Sequence, residues 1–576
     1  MASTAVAIDS PDFRWRRFAE SRLIGMRTNR YSWWTHWREL ADYFLPRRYK
    51  WIITPNQQSR GSPINQHIVD STGCFAARNL AAGLLSGKTN PLKKWFKLRL
   101  GYTDSTGTNP VSLWLAECER ILRLIFQESN FYTSMATLFY DLVIFGTASM
   151  IIYEDFENVI NCYNPCLGEF YVDLDGQYRP CILYREFTMT IGAVVDEFGL
   201  DNCSQSIRQM YEQPGGANLT REIIVAHAIE PNTDDRDFGI PKSFAYRECY
   251  WEWGGSTSPQ SGAPIDRGFL RKRGFHEQPQ ATVRWDLVSN DPYGRSTGMD
   301  GLGDQKQLQL ESRRKAQAID KMVNPPLVAD VQLKNQPASL LPGGITYVSN
   351  FSSSGKPGFA SVYDTKFPVA EITEDLNEVR ERLKKVFFND LFQTASQFET
   401  RSNITAVEWD MRKSESLLML GPVMERIDTE GLSVILERVF GIAARAGILP
   451  PPPAEIQNME IDVEFVSMLA QAQSAAEAAG IERLFGMVGN LAAARPDALD
   501  KMDVDYAIDK YSTLLNNDPK LVLSQDAVDA LRQARAQQQQ MAQQAAMVEQ
   551  MAAGAKTLSE TKVGAGQNAL QAITGG

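Results

Sequence analysis

The sequence predicts an α+β chain, mostly α, made of several units, and three observations lead there. The 576 residues exceed what a single compact core organises, at roughly 100 to 200 residues per domain. Helical periodicity fills both ends of the chain, whereas residues 147–288 break into short β-rich runs separated by Asn, Asp, Gly and Pro. Between residues 304 and 392 two charged helical runs flank a segment of Pro, Gly and Ser turns. At ~1.5 Å per residue, runs of about twenty residues each span roughly 30 Å, so the chain leaves on one strut and returns on its match.

Composition excludes several classes. A net charge of −10 argues against a protein that holds nucleic acid by bulk attraction, because that affinity comes from basic groups releasing counterions. Contact with DNA without a grip stays open. Seven cysteines, all in the first half with no secretory leader ahead of them, are expected to be reduced thiols made in a cytoplasm. No run of ~18 apolar residues predicts a membrane span. His36, His67, His227 and His276 form no HExxH pattern, and Cys162 and Cys166 lack the second close pair that zinc would want, so neither a metal nor a cofactor is expected.

In chain order, Phe13 to Phe44 carries Trp15, Phe18, Trp33, Trp34, Trp37, Leu40 and Phe44 at helical spacing, and is read as core or subunit contact. An alanine-rich helix follows, ending at Gly83-Leu-Leu-Ser-Gly87-Lys88-Thr89. That string mimics a phosphate-binding loop but has three residues between its glycines instead of four, and a helix precedes it where a strand is needed. Helices are expected over Val111 to Gln127 and Phe131 to Phe145. Strands are expected at Ser149 to Tyr153, Phe170 to Asp173, Cys181 to Phe187, Glu222 to Ile229, Ala245 to Trp253 and Ala281 to Val288, forming one mixed sheet.

The first strut, Asp304 to Val323, must stop before Pro325, which removes a donor and disfavours helix at Asn324. It carries five basic against three acidic residues; the second, Glu371 to about Phe392, carries four against six. Together they are nearly neutral. A polyanion such as a duplex, with a phosphate every ~1.7 Å, is held by a densely basic surface and only weakly by a near-neutral one. The same charges could instead pair between neighbouring helices, and both readings stand. A helical run then extends to Ala446, Pro450 to Pro453 breaks it, and Met468 to Leu491 and Val504 to Leu515 are helical again. Ser524 caps a Gln- and Ala-rich stretch of high helix propensity without a strong apolar stripe, and no long heptad array is expected.

Four motifs carry a resemblance. Thr89-Asn90-Pro91 with Trp95-Phe96 behind it, Asp291-Pro-Tyr-Gly-Arg-Ser296 leading to Asp304-Gln-Lys-Gln-Leu308, the closing Asn324-Pro325-Pro326-Leu327, and Ile404-Thr-Ala-Val-Glu408 resemble, in the same order, those of bacteriophage portal proteins, the head-to-tail connectors, of the podovirus type. Val407 stands where the family often has Thr. The resemblance implies the portal fold: a wing over residues 1–300, stem helix 301–324, clip 325–370, stem helix 371–392, tunnel loop 393–403, second wing segment 404–449, crown 450–523, and a helical barrel with a flexible tail over 524–576. It implies a non-enzymatic ring at one capsid vertex of the virion, about twelve subunits around a bore for double-stranded DNA, with ~10 Å helices leaving an opening near 28 Å.

The partners implied are the terminase large subunit, which is the packaging ATPase, the major capsid and scaffolding proteins, and tail adaptor proteins. Gln397, Phe398, Glu399, Thr400 and Arg401 are the tunnel-loop residues expected to meet DNA, and Lys306, Arg313, Arg314, Lys384 and Lys385 are candidates for the channel lining. The competing readings are a scaffolding or tail structural protein of the particle, and a nucleotide-driven packaging enzyme.

Overall fold

Ser10 starts the first helix: its hydroxyl accepts the Phe13 amide at 3.2 Å, and Pro11 takes the first helical position, where no amide donor is needed. The computed structural model describes residues 10–46, 48, 66–100, 110–233, 236, 238–254, 268–323, 327–329, 359–361, 368–389, 420–453, 461–466, 468–492, 495, 501–515, 517 and 521–560. The chain divides into two units, residues 1–95 with 122–449, and residues 96–121 with 450–576.

In the first unit α1 (Pro11–Phe44) lies on an antiparallel sheet of five strands, β4 (Phe170–Asp173), β5 (Ile182–Thr190), β6 (Glu222–Pro231), β7 (Tyr246–Glu252) and β8 (Arg271–Phe275), in that order. Strand side chains alternate between faces. One face sends Tyr171, Tyr184, Ala226 and Trp251 against Trp15, Leu23 and Met26 of α1. The other sends Val225 and Tyr250 against α5 (Ile191–Phe198) and α6 (Gln205–Tyr211). Each large side chain so buried contributes roughly 1.5–3 kcal/mol.

A second sheet holds β2 (Thr147–Asp155) between β3 (Val159–Tyr163) and β9 (Gln280–Arg284). The single mixed sheet expected from sequence is therefore two sheets, and every pairing is antiparallel. Sequence periodicity registers which residues face inward but not which strand is the neighbour. β3 and β8 were not anticipated: Asn and Cys interrupt one apolar alternation, and Arg271, Lys272 and Arg273 disguise the other.

A polar network buried between the sheets ties them together. Arg185 on β5 donates from Nε to His227 Nδ1 at 2.8 Å, from Nη2 to Tyr153 Oη on β2 at 2.9 Å, and from Nη1 to Glu169 at 3.3 Å. Because Nδ1 accepts, His227 carries its proton on Nε2, which meets Glu248 at 2.7 Å. Tyr250 joins Tyr153 at 3.1 Å and Glu248 at 3.2 Å, Arg273 also pairs with Glu248, and Tyr163 on β3 donates to Glu169 at 2.9 Å.

The Tyr-Gly-Arg motif is explained by what it touches. Tyr293 is buried edge-on against Trp37, its Oη accepting the Val172 amide, and Arg295 stacks over Trp33. Gly294 passes so close to Gly146, the left-handed cap of α4 (Phe131–Phe145), that a Cβ would lie 2.4 Å from the Gly146 carbonyl. Ser296 donates to Ile144 O and caps the short α7 (Thr297–Asp300). α8 (Leu302–Val323) follows directly.

The second unit contains β1 (Phe96–Leu100) and β12 (Ile461–Phe465), paired antiparallel from Phe96↔Phe465 to Leu100↔Ile461, with Arg99 and Glu464 joined at 2.7 Å. The first turns of α3 (Pro110–Glu128) join it through Glu119, which accepts the Leu98 amide, and Trp114, which donates to Pro450 O. Residues 461–465 thus pair with a strand more than 360 positions earlier, a pairing that no local pattern announces. Helices α12 (Met468–Ala492), α13 (Val504–Leu514) and α14 (Gln525–Glu560) complete the unit. The first unit also contains α10 (Gly421–Arg426), a π turn (Ile427–Leu432) and α11 (Ser433–Arg445), and a short ladder of β10 (Leu327–Ala329) with β11 (Phe359–Ser361) falls in the predicted clip.

Among the described residues no group of His, Cys, Asp and Glu could hold a metal ion, and Cys162, on β3, has its thiol pushed up to about 12 by burial.

Burial lowers His227 to about 4 against the pull of Glu248, while Glu248, which burial alone would raise, is held at about 2 by His227 and Arg273. Both folded values lie below the unfolded ones, so the unfolded chain binds more protons. The stabilisation is complete above about pH 6.5 and is lost as pH falls through 6.5 to 4 for His227 and 4.5 to 2 for Glu248. Thermal melts from pH 7 to pH 4 are expected to show a loss of order 3 kcal/mol from the histidine step, absent in His227→Gln.

Candidate functional site

The two predicted struts are α8 and α9 (Val369–Val386), and the site is built at their root. α9 presents Leu376, Val379, Leu383 and the following Phe387 at spacings of three and four, all buried. Gly301, at the start of α8, sits against Leu383, Val386 and Phe387, and Arg382 reaches Asp304 at 3.3 Å, so the start of one helix meets the end of the other and the pair is antiparallel. Of the Glu371 to Phe392 run expected, α9 covers residues up to Val386, and residues 390–392 lie outside the described residues. Phe388 takes a left-handed φ of 50°, its amide donating to Lys385 O, which ends the helix before the apolar pattern does.

Burial along α8 is uneven. Leu302, Gln305, Leu308 and Gln309 are buried; beyond them only Ala318 is, and Leu310, Ile319, Met322 and Val323 are exposed. The first three turns belong to the body and the rest projects.

One residue on each strut meets the segment before α2 (Thr72–Lys88). Gln309 Oε1 accepts the amides of Val69 and Asp70 at 2.6 and 2.8 Å, and its Nε2 donates to Asp70 O at 2.7 Å. The Asp70 carboxylate divides its oxygens. Oδ1 accepts the amide and hydroxyl of Thr72 at 2.9 and 2.5 Å, satisfying the start of α2, and Oδ2 accepts Arg380 of α9 through Nε and Nη2 at 3.0 and 2.7 Å. Burial would raise Asp70; the bonds from Thr72 and Arg380 outweigh it and hold the carboxyl below its ordinary range. α1 adds Glu39, paired with Lys306 at 2.8 Å, the Tyr43 carbonyl, bound by Gln305, and Phe44, edge-on to Phe387.

The predicted lining residues separate. Lys306 is tied to Glu39, and Lys384 to Glu381 one turn back at 2.7 Å. Arg313, Arg314 and Lys385 are exposed with no ion pair among the described residues. Gln397, Phe398, Glu399, Thr400 and Arg401 lie outside the described residues. Asp70, Gln309 and Glu39 were not singled out by sequence, and the only hint was an Asp-Ser-Thr string before an alanine-rich run.

The string that mimics a phosphate loop is the last turns of α2. Lys88 is buried and pairs with Asp428 at 2.6 Å, on the π turn, whose Glu430 binds Arg284 of β9 at 2.5 Å and also accepts the Arg284 amide. Burial raises Asp428, against Lys88. The ammonium holds a helix in place and has no backbone cradle around it.

Two stability measurements follow. Asp70→Ala is expected to cost about 1–2 kcal/mol and to raise hydrogen exchange in α9, with Asp70→Asn, which keeps the cap, costing less. Lys88→Ala is expected to cost about 1–3 kcal/mol by stranding Asp428, and the double variant with Asp428→Ala to cost less than the two single losses combined.

Comparison with known proteins agrees with the motifs. Residues 16–523 match the family described as bacteriophage head to tail connecting protein. The chain is 39% identical over 560 residues to the probable portal protein of Bordetella phage BPP-1, covering 97% of this chain and 98% of that one. It is also 39% identical over 559 residues to the portal protein of Salmonella phage epsilon15, covering 96% of each. With motifs, struts and whole-length similarity in agreement, this chain belongs to the bacteriophage head-to-tail connecting family, the portal proteins.

Proposed function

We propose that copies of this chain form a ring at one vertex of the phage capsid, through which double-stranded DNA is packaged and later ejected. The observation that carries this reading is the helix pair: anchored at Asp70 and Gln309, with a projecting half that exposes Leu310, Ile319, Met322 and Val323 beside Arg313 and Arg314, which have no ion pair among the described residues. Apolar side chains on a projecting helix are covered when copies stand side by side, and the remaining face is free for a bore. Twelve such subunits, each placing a ~10 Å helix on the wall, leave an opening near 28 Å, wide enough for a duplex.

The other helices favour the same assembly. α12 exposes Leu484, Met487 and Leu491, and α13 exposes Val504, Ile508 and Leu515, each set at helical spacing. α14, exposed through residues 529–553, carries a 4–3 spaced seam, Ala527, Leu531, Ala534, Gln538, Met541, Ala545, Val548 and Ala552. A stripe was not expected there; alanine hides it, since alanine scores as a helix former before it scores as a contact. On this reading residues 301–324 and 371–392 are the stem, 325–370 the clip, 393–403 the tunnel loop, 450–523 the crown and 524–576 a helical barrel and flexible tail. The terminase large subunit docks at the clip and tail adaptors replace it, while capsid and scaffolding proteins surround the wing.

The chain itself is read as non-enzymatic, with the packaging ATPase supplying the work. A scaffolding or fibre role is disfavoured by the whole-length similarity to portal proteins. Electron micrographs of the purified chain are expected to show closed rings with a central hole, and ATP turnover to be at background in both the parent and Lys88→Ala. Open chains without a hole, or turnover abolished by Lys88→Ala, would sink the reading. Arg313→Ala with Arg314→Ala is expected to leave rings intact and to lower the salt dependence of DNA retention.

A further inference from the structure

The hairpin between β2 and β3 ends in Asp155-Phe156-Glu157-Asn158, and Phe156 at its tip is fully exposed, at 108%. The turn is held in shape: Asp155 Oδ1 accepts the Glu157 amide at 3.2 Å, Oδ2 accepts Asn158 Nδ2 at 3.3 Å, and the Ile160 amide donates to Asn158 O at 2.8 Å. Val159 closes it with a φ of 68°, a left-handed conformation that β-branched residues avoid. A rigid turn that keeps a large aromatic ring in water is set up to lose that water to a partner.

Charge points to the partner's chemistry. Asp155 and Glu157 flank the ring with no ion pair among the described residues, whereas the neighbouring Glu154 is bound by Arg438 and Arg445. Beside the tip opens a cavity of about 600 Å³, within the range of sites that accept side chains or small ligands, walled by Tyr153, Phe187, Met189 and Phe198. Arg185, Arg271 and Arg273 also line it, but are matched by Glu169, Glu197 and Glu248, so the unmatched charge at the mouth is acidic.

We propose that this hairpin and the cavity beside it are a docking surface for another protein of the phage particle, one presenting an apolar side chain next to Lys or Arg. The apolar group enters the cavity, the cation meets Asp155 and Glu157, and Phe156 anchors the rim. A second copy of this chain fits poorly. Neighbours in a ring meet through two different faces, whereas this knob and socket share Asp155 and sit side by side. The inference rests on the portal reading above for the particle, not for the surface.

The test uses a phage lacking its own copy of this protein and supplied with variants. Parent, Phe156→Ala, Phe156→Leu and Glu157→Lys are first purified and checked for unchanged melting and for rings by mass photometry. All four are expected to melt and assemble alike. Particle yield is expected to fall at least tenfold with Phe156→Ala and Glu157→Lys and to stay near the parent's with Phe156→Leu. Second-site suppressors of Glu157→Lys should replace a Lys or Arg in a different particle protein. Parental yield from both Phe156→Ala and Glu157→Lys, or suppressors found only within this chain, overturns the proposal. Folded variants that no longer form rings also overturn it, assigning the surface to a second copy. Failure of the parent itself to form rings instead overturns the portal reading.

Discussion

A helix that leaves the body of a protein can be aimed only where it is still inside it. Here much of that control falls to one carboxylate and one side-chain amide, with α1 adding the Lys306–Glu39 pair, the Tyr43 carbonyl bound by Gln305, and Phe44 against Phe387. Asp70 has one oxygen on the start of α2 and the other on Arg380 of α9, and Gln309 of α8 binds the backbone on either side of Asp70. The angle of both struts is therefore referred to one peptide segment. Flexing one strut alone would break charge-assisted bonds in a half-buried site, where they are stronger than in water.

The body that carries this root is stiffened by the same means on a larger scale. Two antiparallel sheets with separate ladders would slide over one another on apolar contact alone, since dispersion has little direction. The chain through Tyr153, Arg185, His227, Glu248 and Tyr250 gives the contact a fixed geometry. Its cost is sensitivity to acid, because the neutral imidazole is part of the pattern. A conduit that must keep its bore aligned under load gains from a body that does not shear, and the polar core supplies that without adding apolar area.

Several cations among the described residues act as joints. Lys88, Arg284, Lys306, Arg380 and Arg438 each hold two elements together, while of the residues considered for the lining Arg313, Arg314 and Lys385 are exposed with no ion pair among the described residues. The same holds for Lys321 on the strut of the two arginines, and Lys315 there is half-buried and likewise without an ion pair among the described residues. Lys88 shows how residue type misleads when read without context: a Gly-Lys-Thr string and a buried ion pair at the end of a helix look alike in one dimension. The nearly balanced charge of the struts survives this sorting. Helices whose cations are offset by as many carboxylates hold a polyanion weakly, because little net charge is available to release its counterions.

Local chemistry determined much of this architecture from sequence alone. Helix spacing placed α8 and the start of α9, and strand alternation found Phe170–Asp173 and most of Glu222–Pro231. These succeed because propensity and periodicity act over a few residues. Only the tertiary structure decided that β1 pairs with β12, that the sheet is two sheets, that α9 stops at Val386, and that Asp70 serves two helices. Each of those is a contact between residues distant in the chain, where the energy comes from a partner that no sequence window contains.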